Sequence, residues 1–387
     1  MTSDRESAPL AGTLVIELAG LAPVPFAGLI LSDLGASVLR IDRPPSASSS
    51  SDSLPAPDFL TRGKRAVQLD LKRDRARLLH LLASADVLLD PYRPGVLESI
   101  LGTKDLHGFI QQHNPRLIIG RLVGFPRTLP SHGRMAGHDL NYLALSGILS
   151  LLGRKGAKPA FPHNLLADFA GGSLMLVLGV LAALIARQHS GAGTLVDINM
   201  VQGVQYLASF LRAFQVHGLL DPTQRGANLL DSGAHNYDVY ETSDKGRYVS
   251  LAALEPQFYA KFIGLLKANE MATHDEMTQL TKGSVLQGWD EKKPVLEQVF
   301  RRHAYDKWEQ VGMGTDACLV GVRLMDEVPN GQWPKFSGVG FEPVKSGHGG
   351  DGNDEGWEAM SEERVLKSWQ DVDKWVQARV RDGKAKL

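Results

Sequence analysis

The sequence has a single cysteine, Cys318, among its 387 residues. One cysteine cannot form an intrachain disulfide, and it cannot supply the several thiolates of a cysteine-type zinc site. The Walker P-loop, His-Glu-x-x-His and Gly-x-Ser-x-Gly motifs are also absent from the sequence. These absences favour a reducing compartment and predict that the protein binds no metal.

Strong net charge and long hydrophobic runs are scarce as well. The 42 basic and 43 acidic side chains leave a formal charge of −1, so the chain as a whole does not attract nucleic acids or anionic membranes. We therefore expect no nucleic-acid partner. The one long apolar run, residues 171–186, falls short of the about 20 residues that a membrane span needs, and it predicts a buried helix. The opening stretch MTSDRESAPL lacks the apolar core of a signal peptide, so no secretory leader is expected.

Strand-like and helix-like segments alternate from the start of the chain to Val123. Strands that alternate with helices form a parallel sheet with right-handed crossovers. We therefore predict an α/β fold with a Rossmann-like large domain. The predicted strands of this part are residues 13–18, 37–42, 66–71, 86–90 and 116–123.

The length of the chain predicts two domains, because 387 residues exceed what one compact core usually holds. Helical patterns, broken by a strand at 194–200, continue to Gly218, and turns with antiparallel strands begin near Arg225. The predicted parts are a large domain at 1–205 completed by 335–387, a linker helix at 206–224, a small α+β domain at 225–330, and a return linker with a C-terminal helix at 331–387.

One stretch matches the letters of the dinucleotide-binding fingerprint but lacks its structural context. GHGGDG, at residues 347–352, matches Gly-x-Gly-x-x-Gly but does not stand between a strand and a helix of a βαβ unit. The first strand-to-helix turn, where such glycines are needed, instead reads AGLAPVPFAG. We therefore do not expect the sheet to bind NAD.

Three titratable residues stand at special places in the pattern. His138 lies with Asp139 at the start of a helix, where it either caps the helix or takes part in chemistry. Asp168 precedes two glycines and a long apolar helix, so it is either an N-cap or part of a site where free amides hold a developing oxyanion. Glu255 leaves an apolar strand before a helix that begins with proline, and it is either a surface carboxylate or a functional one.

Several motifs occur in the order in which the α-methylacyl-CoA racemases of the family III CoA-transferase superfamily carry them. The sequence resembles these enzymes from about residue 10 to residue 325, and its last 60 residues match less well. The matching motifs are ELAGLAPVPFAGLILSDLGASVLRIDRP, RGKRAVQLDLK, DPYRPGVLE, AGHDLNYLALSG, NLLADFAGG, RGANLLDSGA, YDVYET and ALEPQFY.

The resemblance implies both an assembly and a reaction. Members are interlocked homodimers of ring-shaped chains, with the active site between the large domain of one subunit and the small domain of the other. The reaction is a 1,1-proton transfer at C2 that interconverts (2R)- and (2S)-2-methylacyl-CoA through an enolate. No cofactor is implied, since CoA is part of the 2-methyl-branched acyl-CoA substrate.

The resemblance also implies roles for individual residues. His138, tuned by Glu255, serves one face of the substrate, and Asp168 serves the other, with each acid–base step contributing about 10² to 10⁴ in rate. The amide of Asp168 holds the enolate oxygen. The residues expected to orient the catalytic groups are Asp139, Asn164 and Tyr237.

The CoA moiety needs cations for its phosphates, and the sequence places them where predicted strands end. By resemblance, Arg43 lies near the adenine, Arg93 near the phosphates, and Leu71 with Lys72 along the nucleotide. Tyr92 also belongs to the expected CoA-binding residues. Guanidinium groups suit phosphate geometry better than ammonium groups, which favours the arginines. The full set of candidate cations is Arg40, Arg43, Arg62, Lys64, Arg65, Lys72 and Arg93.

Three stretches depart from the family pattern. Pro126 and Arg127 replace the usual Gly and Gln in the loop from Gly124 to Pro130, GAHNYD replaces Gly-Ala-Pro-aromatic-Tyr-Asp, and DACLVGVR lacks the usual Ala/Thr-Pro-Val. The three proposed proton-transfer residues are retained, so these changes indicate a divergent member with its own acyl preference.

Two other functions stay open. In a family III CoA-transferase, Asp168 is a nucleophile that forms a mixed anhydride and then a thioester. Such transferases often carry a glycine-rich loop where this chain reads LAALEPQ. A catalytically silent acyl-CoA-binding protein needs none of the three proton-transfer residues.

The last three residues, Ala385-Lys386-Leu387, are a conservative variant of the Ser-Lys-Leu peroxisomal address. Degradation of branched acyl-CoA requires one configuration at C2, and peroxisomes carry out much of it in eukaryotes. We therefore expect a peroxisomal enzyme that binds the import receptor, with cytosol or mitochondrion as the alternative.

Overall fold

A computed structural model describes residues 8–44, 59–327 and 364–384. The GHGGDG stretch and the C-terminal Ala385-Lys386-Leu387 lie outside the described residues. The chain divides into two units. Unit 1 consists of Met1–Ser146, Pro162–Leu207 and Trp333–Leu387, and unit 2 consists of Gly147–Phe161 and Ala208–Gln332.

Unit 1 is built on a six-stranded sheet. Its strands are β1 (Leu14–Leu18), β2 (Ser37–Asp42), β3 (Arg65–Gln68), β4 (Val87–Asp90), β5 (Ile118–Val123) and β6 (Leu195–Asn199). They lie in the order β3-β2-β1-β4-β5-β6, and every neighbouring pair is parallel. Strands β1, β4 and β5 are buried along their whole length, which explains their continuous apolar sequences. The predicted α/β class with a parallel sheet is confirmed.

Helices follow the strands, as the alternating pattern predicts. Paired prolines begin the first helix, where the missing N–H groups have no intrahelical role. The α-helices of unit 1 between residues 23 and 207 are α1 (Pro23–Asp33), α2 (Arg75–Leu82), α3 (Val96–Leu101), α4 (Leu106–His113), α5 (Asp139–Ser146), α6 (Met175–Ser190) and α7 (Met200–Leu207).

A π-helical stretch, Leu165–Leu174, runs directly into α6. Its glycine at position 171 has a packing reason: a Cβ there would lie 2.8 Å from the backbone nitrogen of Val204 on α7. On the other side, a Cβ at Gly203 would overlap the carbonyl oxygen of Gly171. The two backbones therefore meet directly, and only glycine permits that approach.

In the described part of the chain, Leu165–Ser190 is the one helix whose length and apolar composition would suffice to cross a membrane. It packs against the sheet of unit 1 at β5 and β6 and against α7, as a core helix does.

Unit 2 has a small antiparallel sheet with helices on it. The strands are β7 (Tyr237–Glu241), β8 (Tyr248–Ala252) and β9 (Leu319–Gly321), in that order across the sheet. Stacked aromatic rings form the core: the ring of Phe300 lies 4.7 Å from Tyr240, 5.9 Å from Phe262 and 4.5 Å from Trp308. The helices are α8 (Ser209–Val216), α9 (Pro256–Ala268), α10 (His274–Thr281), α11 (Trp289–Arg301) and α12 (Tyr305–Gly312).

The last helix, α13 (Trp369–Lys384), returns to unit 1. Its Val372 and Val376 are buried in the core cluster beside the sheet.

The division into units differs from the predicted boundaries at two places. Most of the predicted linker helix, from Ala208 on, belongs to unit 2. Gly147–Phe161, which the sequence assigns to the large domain, belongs to unit 2. Polar contacts hold it there: Arg154 pairs with Asp238 on β7, and Arg225 Nη1 donates to the carbonyl of Ser150 at 3.0 Å. These partners lie about 70 to 85 residues away along the chain, a separation over which sequence patterns carry no signal.

One ion pair lies fully buried beneath the sheet of unit 1. Lys64 Nζ donates to Glu17 Oε2 at 2.7 Å and to the carbonyl of Pro25 at 2.8 Å, and neither charged side chain is exposed. Gly28 on α1 leaves the space that the carboxylate occupies, since a Cβ there would overlap Glu17 Oε2. The pair therefore joins β1, α1 and the start of β3.

We expect Lys64→Met to destabilise the protein by about 3–5 kcal/mol, because it leaves the Glu17 carboxylate buried without its partner. The double variant Glu17→Leu/Lys64→Met removes both charges and is expected to be more stable than the single variant. Urea unfolding followed by circular dichroism measures both. Arg73→Met is the matched control, since the Arg73 side chain in its pair with Asp70 is 88% exposed. An equal loss of stability for Lys64→Met and Arg73→Met would contradict this account.

Candidate active site

The predicted site residues of unit 1 follow the carboxyl ends of its strands. Arg43 follows β2, Leu71 follows β3, Tyr92 follows β4, and the loop that leads to His138 follows β5. Carboxyl ends of parallel strands share one edge of a sheet, and the strand order reverses between β1 and β4. Ligands of open α/β sheets bind at such an edge, outside the point of reversal.

His138 stands immediately before α5, and its backbone makes the local hydrogen bonds of the helix start. Its carbonyl accepts from the N–H groups of Asn141 at 2.8 Å and Tyr142 at 3.2 Å, and its own N–H donates to Asn141 Oδ1 at 3.1 Å. The imidazole takes no part in these bonds and is exposed in the single chain. Because Asn141 and the backbone make the contacts of His138 at this end of α5, the imidazole does not act as a cap and is available for chemistry.

Asp139 is buried and connects two separate segments. Its Oδ2 accepts the backbone N–H groups of Ala167 at 2.7 Å and Asp168 at 2.8 Å. A carboxylate on α5 thus caps the first turn of the π-helical stretch from outside. The expectation that the Asp168 amide holds the enolate oxygen is wrong, because Asp139 already occupies that N–H.

Of the two roles that the sequence leaves open for Asp168, the N-cap is not the one observed. The helix begins at Leu165, preceded by Asn164, so Asp168 lies inside the first turn. Since Asp139 caps that turn, the Asp168 carboxylate is free of the capping role, and its Oδ2 accepts from Asn164 Nδ2 at 3.3 Å.

The surroundings of Asp168 suit proton transfer near neutral pH. Burial raises the pKa of Asp168 to about 6, with a further increase from the nearby Asp139, while Asn164 and His138 act in the opposite direction. An acid–base group works best when its pKa is close to the working pH. A half-buried carboxyl group of this kind beside a histidine is typical of catalytic sites.

Tyr142, one turn after His138 on α5, is not among the site residues that the sequence predicts. Its hydroxyl donates to the carbonyl of Gly137, directly before His138. The spacing of four residues from His138 on a helix could have drawn attention to it, since such residues lie on one face.

Glu255 and Tyr237 lie in unit 2, at one end of its sheet. Glu255 stands immediately before α9, its side chain exposed and without a capping hydrogen bond, while its carbonyl accepts from Phe258 and Tyr259. Tyr237 begins β7 and pairs with Ala252, three residues before Glu255. The carboxylate of Glu255 therefore does not cap its own helix.

The unusual GAHNYD segment is buried beside these two residues. Asn236 Nδ2 donates to the carbonyl of Ala253 at 2.8 Å, which ties the segment before Tyr237 to the one before Glu255. His235 Nε2 lies 3.2 Å from the Tyr259 hydroxyl, and burial lowers the pKa of His235 to about 4, with Lys292 and Lys293 acting in the same direction. His235 is therefore neutral at physiological pH.

Among the residues predicted to bind CoA, the side chains of Arg43 and Tyr92 lie next to each other. The Arg43 guanidinium lies 6.0 Å from the centre of the Tyr92 ring, and Tyr92 N–H donates to Asp90 Oδ1 at 2.8 Å. Arg127, at the departure from the family pattern, donates to Asp197 at 2.8 Å and lies 3.5 Å from the carbonyl of Tyr92. The turn that carries Arg93, which is exposed, is therefore held on both sides.

Not all candidate cations face solvent. Lys64 is buried with Glu17, and Arg62 pairs with Asp33 at 2.6 Å with only 10% of its side chain exposed. These two cations stabilise the fold and are not available to phosphates. Arg62 and Lys64 are therefore removed from the seven candidate cations for CoA. Lys72 is exposed, and Leu71 beside it is buried.

Within residues 8–44, 59–327 and 364–384, no three or more His, Cys, Asp or Glu side chains are grouped as a metal site would require.

The sequence profile of CoA-transferase family III matches residues 10–350 of this chain. The chain belongs to CoA-transferase family III. It is 45% identical over 324 residues to the human protein named alpha-methylacyl-CoA racemase, covering 82% of this chain and 79% of that one. It is 44% identical over 321 residues to the mouse protein of the same name, covering 82% and 78%.

A similar fold is found among solved structures. The crystal structure of a CAIB/BAIF family protein from Brucella suis aligns with a TM-score of 0.68 at 24% identity, over 86% of this chain and 88% of that one. At this identity the likeness concerns the fold.

We expect Asp168→Asn to stabilise the protein above about pH 6 and to leave its stability unchanged near pH 4. The folded state raises the pKa of Asp168 to about 6, from an ordinary value of about 3.9, so the folded protein loses stability as the pH rises through this range. Removing the ionisation removes that loss. Thermal melts of both proteins from pH 4 to 8 measure it, with an expected gain of about 2 °C at pH 7 to 8. A difference that is constant from pH 4 to 8 would contradict the raised pKa.

Proposed function

We propose that this family III protein interconverts (2R)- and (2S)-2-methylacyl-CoA thioesters by proton transfer through an enolate. The observation that carries the proposal is the similarity to the two mammalian proteins named for this activity, at 45% and 44% identity. The geometry of His138 and Asp168 on one unit agrees with it, because epimerisation needs two acid–base groups.

The two groups have different tasks in this mechanism. His138 removes or delivers the proton on one face of C2, and Asp168 does so on the other. Burial, which raises the pKa of Asp168 to about 6, lets its carboxyl group both accept and donate protons near neutrality. Each such step contributes about 10² to 10⁴ in rate.

The enolate needs a hydrogen-bond donor other than the Asp168 amide. Helix α5 begins at Asp139, so the N–H groups of Asp139 and Leu140 have no acceptor within the helix. They follow His138 directly and stand at the positive end of the helix dipole. These amides hold the enolate oxygen, and one such donor is typically worth about 10² to 10³ in rate.

The CoA portion binds at the carboxyl edge of the sheet of unit 1. Arg43 and Tyr92 take the nucleotide end, Arg93 takes the phosphates, and Leu71 with Lys72 lines the nucleotide. The contact of Arg43 with Tyr92 and the fixed turn before Arg93 support this arrangement. The substrate brings CoA with it, and the reaction as proposed requires no cofactor.

Exchange in deuterated water tests the reaction. Purified protein is incubated with one epimer of a 2-methylacyl-CoA and no free carboxylate, and the α-proton and configuration are followed by NMR. We expect deuterium at C2 and mixing of configuration, and a loss of about 10² or more in the rate of mixing for His138→Ala. Arg73→Met, on the surface, is the matched control and is expected to keep the full rate.

The same assay separates the other two functions. Absence of exchange, followed by movement of CoA once a carboxylate acceptor is added, would make Asp168 a nucleophile and the protein a transferase. Binding of acyl-CoA without exchange or transfer would indicate a silent binding protein. Either result would overturn the proposal.

We further propose a homodimer in which Glu255 of one subunit approaches His138 of the other. Three observations support it: both side chains are exposed in the single chain, the Glu255 carboxylate makes no capping bond, and α8 exposes large apolar side chains. Phe210 is 57% and Val216 66% exposed, which is unusual for a helix that stays uncovered.

Mixing two inactive variants tests the shared site. His138→Ala and Glu255→Ala chains are co-refolded or co-expressed with different tags. Random assembly puts one chain of each kind in half of the dimers, and each mixed dimer has one intact site if the site is shared, so about a quarter of wild-type activity is expected. Mixed dimers without activity would place His138 and Glu255 of one site in the same chain.

A further inference from the structure

Tyr142 makes two hydrogen bonds with the two residues that begin the catalytic segment. Its backbone N–H donates to the carbonyl of His138 at 3.2 Å. Its hydroxyl donates to the carbonyl of Gly137. One residue of α5 therefore fixes the peptide units on both sides of the Cα atom of His138.

The Tyr142 ring is itself held in place. It meets the ring of Phe125 edge-on at 4.9 Å, and Phe125 is only 5% exposed. Two glycines make room for it: a Cβ at Gly137 would lie 2.8 Å from the ring, and a Cβ at Gly124 would overlap it. The phenol thus fills a space between the end of β5 and the residue before His138.

The phenol also lies within electrostatic reach of both parts of the site. Asp168 and Asp139 raise the pKa of Tyr142 and Arg93 lowers it, in addition to the larger effect of burial, and the pKa is raised to about 12. The hydroxyl consequently stays protonated at any pH at which the enzyme works. It can donate a hydrogen bond, but it cannot serve as the base.

We infer that Tyr142 is a positioning residue that fixes the His138 side of the proton transfer. The inference rests on the proposed function, in which His138 and Asp168 serve opposite faces of C2. Without the hydroxyl, the Gly137 carbonyl loses its donor, and the peptide before His138 is held only through the His138 N–H bond to Asn141 Oδ1. The carboxyl group of Asp168 keeps its own contacts with Asn164, and the Asp139 cap on its first turn is unaffected.

The consequence is an asymmetry between the two epimers. Each base exchanges the α-proton of the epimer whose proton faces it, even when inversion fails. Tyr142→Phe therefore slows α-proton loss from the epimer that faces His138, by about tenfold or more, since misplaced catalytic groups commonly lose that much. Loss from the epimer that faces Asp168 changes by less than about threefold, and the KM for acyl-CoA stays close to the wild-type value.

Initial rates of deuterium incorporation from each pure epimer, measured by NMR, test the inference. His138→Ala in the same assay identifies the epimer that faces His138, and Tyr248→Phe, on a partly exposed strand tyrosine of unit 2, is the matched control. Gly124→Ala provides a second route, because its methyl group displaces the ring while the hydroxyl remains. Melting curves of each variant establish that it is folded.

Each outcome decides the inference. The inference is supported if Tyr142→Phe and Gly124→Ala slow α-proton loss from the same epimer as His138→Ala does, by a smaller factor. Equal changes for both epimers, or wild-type rates, overturn it while leaving the proposed function intact. If the wild-type protein exchanges neither epimer, the proposed function fails and this inference fails with it.

Discussion

The carboxylate of Asp139 is the contact on which the site of unit 1 depends. By accepting the amides of Ala167 and Asp168, it joins the helix that begins after His138 to the π-helical stretch that carries Asp168. Two N–H groups at a helix start stabilise this buried carboxylate through its Oδ2 atom. The cap also releases the Asp168 side chain from capping its own helix. Two segments far apart in sequence thereby become one site.

The parallel sheet brings the rest of the site to the same edge. Its order, β3-β2-β1-β4-β5-β6, places the loops after β2, β3, β4 and β5 at the carboxyl ends of the strands. Those loops carry the arginines proposed for CoA and the segment that ends at His138. The fully buried pair of Lys64 and Glu17 joins β1, α1 and the start of β3 within this arrangement. Cations close together in the sequence thus differ in their surroundings: Lys64 is buried in an ion pair, whereas Lys72 is exposed.

Some of this could be predicted from particular stretches. Continuous apolar runs such as LVIEL identify buried parallel strands, because residues covered on both faces have no polar alternation. The Ala-Gly-His-Asp and Ala-Asp-Phe-Ala-Gly-Gly motifs identified the segments around His138 and Asp168. The hydrogen-bond partners and the burial of each group could not be predicted from the sequence. The sequence could not decide whether Asp168 caps its helix, because the group that caps it, Asp139, comes from another helix. Arg62 and Lys64 look like ligand cations in the sequence, since a sequence does not reveal which charges are buried.

The sequence by itself determined the α/β class, the family, and the residues capable of acid–base chemistry, since these follow from local periodicity and from motifs whose order is preserved. Only the tertiary structure decided how those residues are used: that Asp139 caps the helix of Asp168, that the Asp168 amide is occupied, that burial raises the pKa of its carboxyl group, and that Tyr142 braces the peptide before His138. The physical reason is that hydrogen-bond partners and burial depend on contacts between segments distant along the chain, and such contacts exist only after the sheet has brought those segments together.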